Sequence, residues 1–275
     1  MKPTVSVVMP IFNKEFLIER VLRSILENKS QFVKELIFVF DGCTDRTEEL
    51  SMKILDDVKD VNVIVEHTPN VFETKADNVA LKLSTCDYSM IVQDDMVIEE
   101  KDFDARMVKP FIFEDTFSVT SRLAHNDYYL NGNMGWGDYA GFDPYKKNFG
   151  SSPRNLFSIR DICNRGPLLV DNEKMRALNY FDEAFSPQQY DDHDICFRAW
   201  EQHGWVSGSF WIKWCSKEEW GGSRQEVYTD TTEHNRDKYY WLEACGQKNK
   251  SLIIERHYDL LFPDKKHNEE RILLN

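Results

Sequence analysis

The first part of the chain alternates between short apolar runs and stretches in which apolar residues recur every three or four positions. The apolar runs predict strands at Val5–Phe12, Glu35–Phe40 and Val61–Val65 and a fourth strand that begins at Tyr88. Helical periodicity predicts one helix after each of the first three strands. This alternation predicts an α/β fold whose parallel sheet has right-handed crossovers.

The predicted strands end in polar residues. Asn13 follows the first strand, Asp41 the second, and Asp94 and Asp95 follow the apolar run Met90–Val92. Parallel strands place these ends on one edge of the sheet, where α/β proteins bind ligands, so we expect them to line one pocket. Adjacent carboxylates repel each other unless a cation lies beside them, which predicts Mg²⁺ or Mn²⁺ with a phosphate ester. An acidic strand end facing water is the alternative.

Asp41 precedes Gly42, and two interpretations of it remain open. Its carboxylate can accept a hydrogen bond from a base N–H or a ribose hydroxyl. An ordinary turn aspartate in an Asp-Gly pair would look the same in the sequence.

Beyond residue 116 the pattern changes, and we divide the chain into a first half (1–116), a second half (117–245) and a C-terminal tail (246–275). Residues 126–150 are rich in Asn, Gly, Tyr and Trp, which predicts a long loop or insertion. Aromatic rings there, Trp136 among them, could stack on a sugar or pack onto their own lobe. The charged segment from Asp264 to Arg271 is expected to lie on the surface.

A second group of acids opens a predicted helix. Asp191, Asp192 and Asp194 precede Ile195 and further apolar residues at helical spacing. Three acids in a first turn suit the positive end of the helix dipole, and one of them could instead act as a general base. We expect Asp192 to face the cleft on the side of the apolar face, and Asp194 to pair with Arg198 one turn on.

Composition and charge exclude several classes of function. The chain has 275 residues and a net charge of −13, which argues against nucleic acid as a partner. Neither a membrane-spanning apolar run nor a signal-peptide pattern is found in the sequence, so we expect a cytoplasmic protein. Six scattered cysteines without a CxxC pair argue against zinc and a disulfide framework and predict free thiols. The oligomeric state stays open, a homo-oligomer included.

Three segments taken together resemble family 2 glycosyltransferases of GT-A fold: SVVMPIFNKEFLIERVLRSIL, ELIFVFDGCTDRT and ADNVALKLSTCDYSMIVQDDMVI. That family shows a P-x-x-N opening, a DGSTD-like turn, an A-x-N helix and an Asp-x-Asp motif after the fourth strand. This chain departs from the pattern at Gln93, the first acidic position of the motif, and at Phe40. The resemblance implies a Rossmann-like, mostly parallel sheet flanked by helices. It makes residues 1–116 the nucleotide-sugar-binding half and residues 117–245 the acceptor-binding and catalytic half, which continues the same domain.

The resemblance also implies a nucleoside-diphosphate sugar donor and Mn²⁺ or Mg²⁺ as cofactor. It makes Asp95 the metal ligand, with Asp94 a second metal ligand or a neighbour of the ribose. The implied donor-binding residues are Pro10, Phe12, Asn13, Glu15, Asp41, Lys75, Asn78, Gln93 and Asp94.

In the second half, Asn164-Arg165-Gly166-Pro167 and the acids that open the 191–203 helix resemble the acceptor-half signature of the family. The resemblance places the catalytic base on Asp192, with Asp191 as the neighbouring candidate, and acceptor binding on Arg165, Gly166 and Trp136. Trp220–Arg224 resembles the loop that closes over the diphosphate. The family often has a metal-binding histidine before this loop, where this chain has Trp214 and Cys215, and His234 is a weak substitute.

The function implied is an inverting transfer to a hydroxyl of a glycan or other acceptor, as in polysaccharide biosynthesis. The base would take the hydroxyl proton while a metal stabilises the leaving diphosphate. Two alternatives stay open. A sugar-nucleotide nucleotidyltransferase would usually carry a basic Gly-rich loop, which is not seen after Met9. A catalytically inactive sugar- or protein-binding relative would fit Gln93 and the missing histidine.

Overall fold

The structure, a computed structural model, describes residues 2–130, 133–142, 153–187, 189–217, 220, 233–261 and 268–273. Its first part alternates strands and helices as predicted, and the prediction of four strands with three intervening helices is confirmed. These elements are β1 (Val5–Ile11), α1 (Ile18–Asn28), β2 (Val33–Asp41), α2 (Thr47–Leu55), β3 (Asn62–Thr68), α3 (Glu73–Leu83) and β4 (Tyr88–Ile91).

The second part is richer in short strands. Its strands are β5 (Val97–Ile98), β6 (Thr116–Thr120), β7 (Leu123–Leu130), β8 (Asn133–Gly141), β9 (Leu156–Arg160), β10 (Ile162–Cys163), β11 (Leu168–Asp171), β12 (Val206–Ser209), β13 (Trp214–Cys215) and β14 (Glu269–Ile272). Its α-helices are α4 (Phe103–Met107), α5 (Asn172–Ala177), α6 (Asp191–His203) and α7 (Glu233–His257). Short 3₁₀ turns cover Lys109–Ile112, Glu183–Phe185 and Tyr258–Leu261.

One nine-stranded sheet carries both halves of the chain. Its order is β14-β9-β12-β6-β11-β4-β1-β2-β3, and the strands from β4 to β3 are parallel. β11 runs antiparallel between β4 and β6, which joins the first half to the second. Consequently the residues that precede β11 lie at the same sheet edge as the end of β4. Helix α7 runs across residue 245, where we divided the chain.

The central strands are buried on both faces, which explains their continuous apolar runs. Met9 packs with Val21 of α1 on one face of the sheet. Val8 packs with Ala76 and Ala80 of α3 on the opposite face. Helices on both faces therefore fix the sheet and leave its carboxyl edge to carry the polar groups.

One expectation about the second half is corrected, and the structure adds two details. Residues 126–150 are not one long loop, because β7 and β8 pair as an antiparallel hairpin from Leu123↔Gly141 to Leu130↔Asn133. In the charged segment at the C-terminal end, Glu269 and Glu270 are exposed as expected, but they also belong to β14, which pairs with β9. Asp171 caps α5, since its carboxylate accepts hydrogen bonds from the Glu173 and Lys174 amides.

All six cysteines are free thiols, as predicted. A separate finding concerns membranes: in the part of the chain that the structure describes, every helix is too short or too polar to cross a bilayer.

Candidate active site

The acid pair after β4, Asp94 and Asp95, lies against the loop that follows β1. The Phe12 amide donates to Asp94 Oδ2 at 2.9 Å, and Lys14 Nζ lies 3.5 Å from Asp94 Oδ1. Lys14 is buried, so it is a fixed positive charge beside the pair. Burial nevertheless raises the pKa of Asp94 above its usual range. The expectation that the ends of β1 and β4 meet at one edge is confirmed.

Asp95 offers a buried carboxylate oxygen that suits a cation. Its Oδ1 atom is buried and has no hydrogen-bond donor among the described residues. Burial and the neighbouring charge of Asp94 raise the pKa of Asp95 to about 7. A buried carboxylate oxygen without a donor is costly, and a hard divalent cation would satisfy it. Asp95 and Asp94 therefore fit the metal that the sequence predicts.

Gln93, the departure from the acidic motif, has a different task. Its side-chain amide donates a hydrogen bond to Glu73 at the start of α3. Its Oε1 lies beside Gly166, where an added Cβ would come within 2.6 Å of that oxygen and 2.5 Å of Met96 Cε. Gly166 also has a φ of +75°, which favours glycine. The 165–167 loop thus packs directly on the acid-pair turn.

The loops after β1 and β2 are tied together. Asn13 accepts from the Thr44 amide at 2.8 Å and donates to Thr44 Oγ1 at 3.1 Å. Glu15 accepts from the Arg46 amide at 3.0 Å. Pro10 and Phe12 are half-buried between them. These predicted donor-binding residues therefore share one rigid polar edge.

Asp41 organises the segment that leads into α3. Its Oδ1 accepts from Thr68 Oγ1 at 2.7 Å and from the Val71 amide at 2.6 Å, and its Oδ2 accepts from the Phe72 amide at 2.8 Å. The side chain is buried. Phe72 has a φ of +70°, a strained conformation that these hydrogen bonds hold. A direct contact between Asp41 and a nucleoside stays a prediction.

On α3, the two predicted donor-binding residues differ. Asn78 is buried, and its amide donates to the Phe181 carbonyl at 2.8 Å and accepts from the Phe181 amide at 3.1 Å. Asn78 therefore fixes the chain ahead of α6. Lys75 is half-buried in the first turn of α3.

Arg165 is buried at the centre of an ionic network. Its guanidinium forms ion pairs with Asp77 of α3 and Asp191 of α6, and its Nε lies 4.0 Å from Glu73. Thr74 Oγ1 also donates to Asp191 Oδ2 at 2.5 Å. Burial raises the pKa of Asp77 to about 7, against the lowering effect of Arg165. Arg165, predicted to bind the acceptor, thus ties α3 to α6 here.

Asp192 is the most accessible of the three acids in the first turn of α6. Its side chain is 13% exposed, whereas those of Asp191 and Asp194 are 0% exposed. Asp192 Oδ2 accepts from the Arg165 amide at 3.3 Å. Asp194 pairs with Arg198 at 2.6 Å, which confirms that expectation.

His193 sets the charge of Asp192. Its Nδ1 lies 2.8 Å from Asp192 Oδ1, and its Nε2 faces Asp127 Oδ2 at 3.4 Å. Although burial opposes it, these two carboxylates raise the pKa of His193 to about 9. Burial likewise tends to raise the pKa of Asp192, but the His193 imidazolium and Arg165 hold it well below its usual range. Asp192 is therefore an ionised carboxylate at neutral pH.

Sequence reasoning missed His125 and Asp127; Asp127 lies in the segment predicted as a loop, and His125 directly precedes that segment. Both lie on β7, two residues apart, so they share one face of the strand. His125 Nδ1 lies 3.1 Å from Asp127 Oδ1. The signal available in the sequence was the His-x-Asp alternation at 125–127.

Other predicted positions contribute differently or lie elsewhere. Ile195 and Ala199 of α6 are buried as expected, but Trp200 is 37% exposed. Trp214, near the position of the family histidine, is buried and donates its indole N–H to the Ser121 carbonyl. Two predicted features lie outside the described residues. These are the side chains of Trp136 and His234, and residues 221–224 of the loop that resembles the one closing over the diphosphate.

The fold has clear counterparts among solved structures. The mannosyltransferase PcManGT from Pyrobaculum calidifontis, in complex with GDP-Man and Mn²⁺, matches with a TM-score of 0.56 and 16% identity, covering 77% of this chain and 55% of that one. GalNAc-T7 with UDP, GalNAc and Mn²⁺ matches with a TM-score of 0.60 and 12% identity, covering 94% of this chain and 58% of that one. These likenesses define the class of fold, an α/β fold of GT-A type.

The family follows from the sequence. The model for glycosyl transferase family 2 matches residues 6–163, more than half of the chain, and the protein belongs to this family. An uncharacterized glycosyltransferase of Haemophilus influenzae is 33% identical over 101 residues, which are 36% of this chain and 39% of that protein. The match therefore spans well under two thirds of that relative. The resemblance inferred from the motifs is confirmed.

Proposed function

We propose that this protein transfers a sugar from a nucleoside-diphosphate sugar to a hydroxyl of a glycan or other acceptor, with inversion at the anomeric carbon. The observation that carries the proposal is the 165–167 loop, which packs Gly166 on Gln93 while its Arg165 amide binds Asp192. Residues 165–167 thus link a half-buried, ionised carboxylate to Gln93, the residue that precedes the acid pair. This link supports a single site for the donor diphosphate and the acceptor hydroxyl.

Asp95 and Asp94 would hold the Mn²⁺ or Mg²⁺, which would neutralise the charge that develops on the departing diphosphate. The buried, donor-free Oδ1 of Asp95 supports this assignment. Relatives of the same fold were solved with Mn²⁺ and GDP-Man or UDP, which supports a nucleotide donor.

Asp192 would act as the general base. The acceptor oxygen attacks the anomeric carbon, the bond to the diphosphate oxygen breaks, and the acceptor proton passes to the Asp192 carboxylate. The low pKa of Asp192 keeps it ionised but makes it a weak base. The hydroxyl becomes acidic only as its bond to carbon forms, so the proton would move late in the displacement.

A binding protein without catalysis is the second candidate, and two observations favour it. The side-chain amide of Gln93 donates its hydrogen bond to Glu73. Trp214 is buried near the position where the family often has a histidine. The cation would then have fewer protein ligands than is usual in the family. Such a protein would bind the nucleotide sugar but would neither hydrolyse nor transfer it.

The test combines binding and turnover. Thermal unfolding is followed with UDP-, GDP- and dTDP-sugars, with and without Mn²⁺, since a ligand that binds only the folded state raises the melting temperature. Donor hydrolysis is then measured under the same conditions. We expect one nucleotide class to stabilise the protein in the presence of Mn²⁺ and to be hydrolysed slowly. Stabilisation without any hydrolysis or transfer would favour the binding protein.

Asp95→Asn should abolish the Mn²⁺-dependent stabilisation by nucleotide while leaving the unfolding transition cooperative. Asp60→Asn is the control, because this exposed residue precedes β3 at the opposite edge of the sheet and pairs only with Lys29 among its described contacts. If Asp95→Asn still binds nucleotide in Mn²⁺ as tightly as the parent, the metal assignment is wrong.

A further inference from the structure

A second cluster of metal-ligating side chains lies beside Asp192. It consists of His125 and Asp127 on β7 and His193 on α6, and all three are buried. One ligand atom from each residue lies within 4.8 Å of the other two. The cluster joins two elements that are distant in the sequence, and none of its members belongs to the acid pair at the end of β4.

The spacing of the cluster suits a tetrahedral ion. With bonds of about 2.1 Å to nitrogen and oxygen, tetrahedral ligand atoms lie roughly 3.3 Å apart. His125 Nδ1 is 3.1 Å from Asp127 Oδ1, and His193 Nε2 is 3.4 Å from Asp127 Oδ2. Small side-chain rotations would therefore bring the three residues around one centre.

The donor set points to a different metal from that of the acid pair. Two imidazoles and one carboxylate suit Zn²⁺ and other first-row ions, whereas an all-carboxylate site suits Mg²⁺ or Mn²⁺. The scattered cysteines speak against a zinc site made of thiolates. Histidine and aspartate can bind Zn²⁺ without any cysteine.

The contact between His193 and Asp192 is independent support. Histidines that bind a metal through one ring nitrogen almost always donate the other N–H to a carboxylate or carbonyl, which fixes the ring. Here His193 presents Nε2 to the cluster and Nδ1 to Asp192 Oδ1 at 2.8 Å. The ring is thus already oriented as a ligand would be, with Asp192 as the outer carboxylate.

We propose that His125, Asp127 and His193 bind Zn²⁺ or a similar first-row divalent ion, separate from the cation of the acid pair. Three protein ligands would leave the fourth position of the ion to water. The ion would tie β7 to α6 and, through His193, would fix the orientation of Asp192. The metal site rests on its own geometry, and only the effect on Asp192 rests on the proposed function.

The experiment uses the full chain without a histidine tag. The protein is stripped with a chelator and equilibrated with Zn²⁺, and its bound metal is counted by mass spectrometry after gel filtration. We expect one tightly bound Zn²⁺ in the parent, in Asp95→Asn and in the control His67→Gln, whose histidine is exposed on β3. His125→Asn and Asp127→Asn should lose this ion while they still unfold cooperatively in chelator.

The Zn²⁺ affinity of Asp192→Asn is a measurement that does not depend on catalysis. If Asp192 supports His193 as a ligand, this variant should hold Zn²⁺ about 10- to 100-fold more weakly in competition with a chelator. A carboxylate with no link to a metal site would leave the affinity unchanged. Loss of transfer with intact Zn²⁺ affinity would support Asp192 as the base and would count against the link between the two sites, but not against the ion.

Three results would overturn the proposal: a parent that retains no Zn²⁺, a His125→Asn variant that retains it, or loss of the ion in Asp95→Asn. Should the cluster variants fail to fold, Co²⁺ replaces Zn²⁺ in the parent. The intense visible absorption of a tetrahedral Co²⁺ site is then expected, and its absence would be equally decisive.

Discussion

Asp191, Asp192 and Asp194 are neighbours on α6 but face different environments. Consecutive residues of a helix point about 100° apart, so the three carboxylates cannot share one surface. Asp191 is paired with Arg165, and Asp194 with Arg198 and His257, both deep in the protein. Only Asp192 keeps part of its carboxylate accessible, which agrees with its assignment as the base.

Replacing Asp192 with Asn should lower the rate of transfer by roughly 10² to 10⁴, the usual contribution of a general base. Donor affinity should stay near that of the parent, because the base touches only the acceptor. Single-turnover transfer and nucleotide-induced thermal shifts measure the two quantities. A variant with near-normal transfer, next to an Asp191→Asn variant that folds but does not transfer, would place the base on the wrong residue.

The matched control is Asp194→Asn on the same helix turn. Removing this buried partner strands the charge of Arg198, which should lower the free energy of unfolding by about 3 kcal/mol. Urea unfolding measures this loss. Turnover at a temperature where the variant is folded should change little.

Asp41→Ala tests whether Asp41 contributes to binding of the nucleoside part of the donor. Without the carboxylate, the Val71 and Phe72 amides lose their acceptor, and the segment before α3 loosens. We expect free nucleoside diphosphate and intact donor to bind more weakly by similar factors, measured by calorimetry. Thr68→Val, which keeps the carboxylate, should have a smaller effect. A loss confined to the intact donor would place Asp41 near the sugar instead.

At the scale of elements, Glu35 joins three segments at the amino edge of the sheet. From β2 it accepts a hydrogen bond from Ser6 of β1 at 2.6 Å and from the Thr85 amide, ahead of β4, at 3.0 Å. Burial raises the pKa of Glu35, but these hydrogen bonds together outweigh it and leave the pKa below its usual 4.5. The ionised carboxylate therefore stabilises the alignment of β1, β2 and β4.

Glu35→Gln should lower the free energy of unfolding by about 1 to 3 kcal/mol at neutral pH, since hydrogen bonds to a charged group are lost. The folded pKa of Glu35 is depressed, so its contribution is fully present above about pH 4.5 and fades as the pH falls further. The difference between parent and variant should accordingly shrink in acid. Urea unfolding at several pH values checks this, and a difference that grows in acid would contradict it.

At the scale of the whole molecule, one buried guanidinium holds the two halves together. Arg165 lies between α3 of the first half and α6 of the second, and its loop rests on the acid-pair turn. The main sheet also crosses from one half to the other through β11. The sheet edge that carries the acid pair and the proposed base, Asp192, are therefore parts of one packed unit.

Arg165→Met should lower the free energy of unfolding by roughly 3 to 5 kcal/mol, because Asp77 and Asp191 would stay buried without a counter-charge. Adding Asp77→Asn to this variant should recover part of the loss, since one uncompensated carboxylate is removed. A double-mutant cycle in urea measures this coupling. Strict additivity would show that the network does not link α3 to α6.

The sequence alone determined the features that arise from local pattern. The strands β1 to β4 could be predicted because strands buried on both faces are continuous apolar runs between turns. Their polar ends then had to meet at one edge, which placed Asp94 and Asp95. The pairing of Asp194 with Arg198 is also local, one helical turn apart.

Only the tertiary structure decided contacts between segments far apart in the chain. Pairing of β7 with β8 and of β14 with β9 satisfies backbone groups across strands, and composition suggested a loop and a tail instead. Side-chain partners show the same limit. Periodicity indicates which residues face inward but not what they meet there, so neither the acids around Arg165 nor the approach of His193 to Asp127 could be inferred. Those contacts depend on how the sheet brings distant segments together.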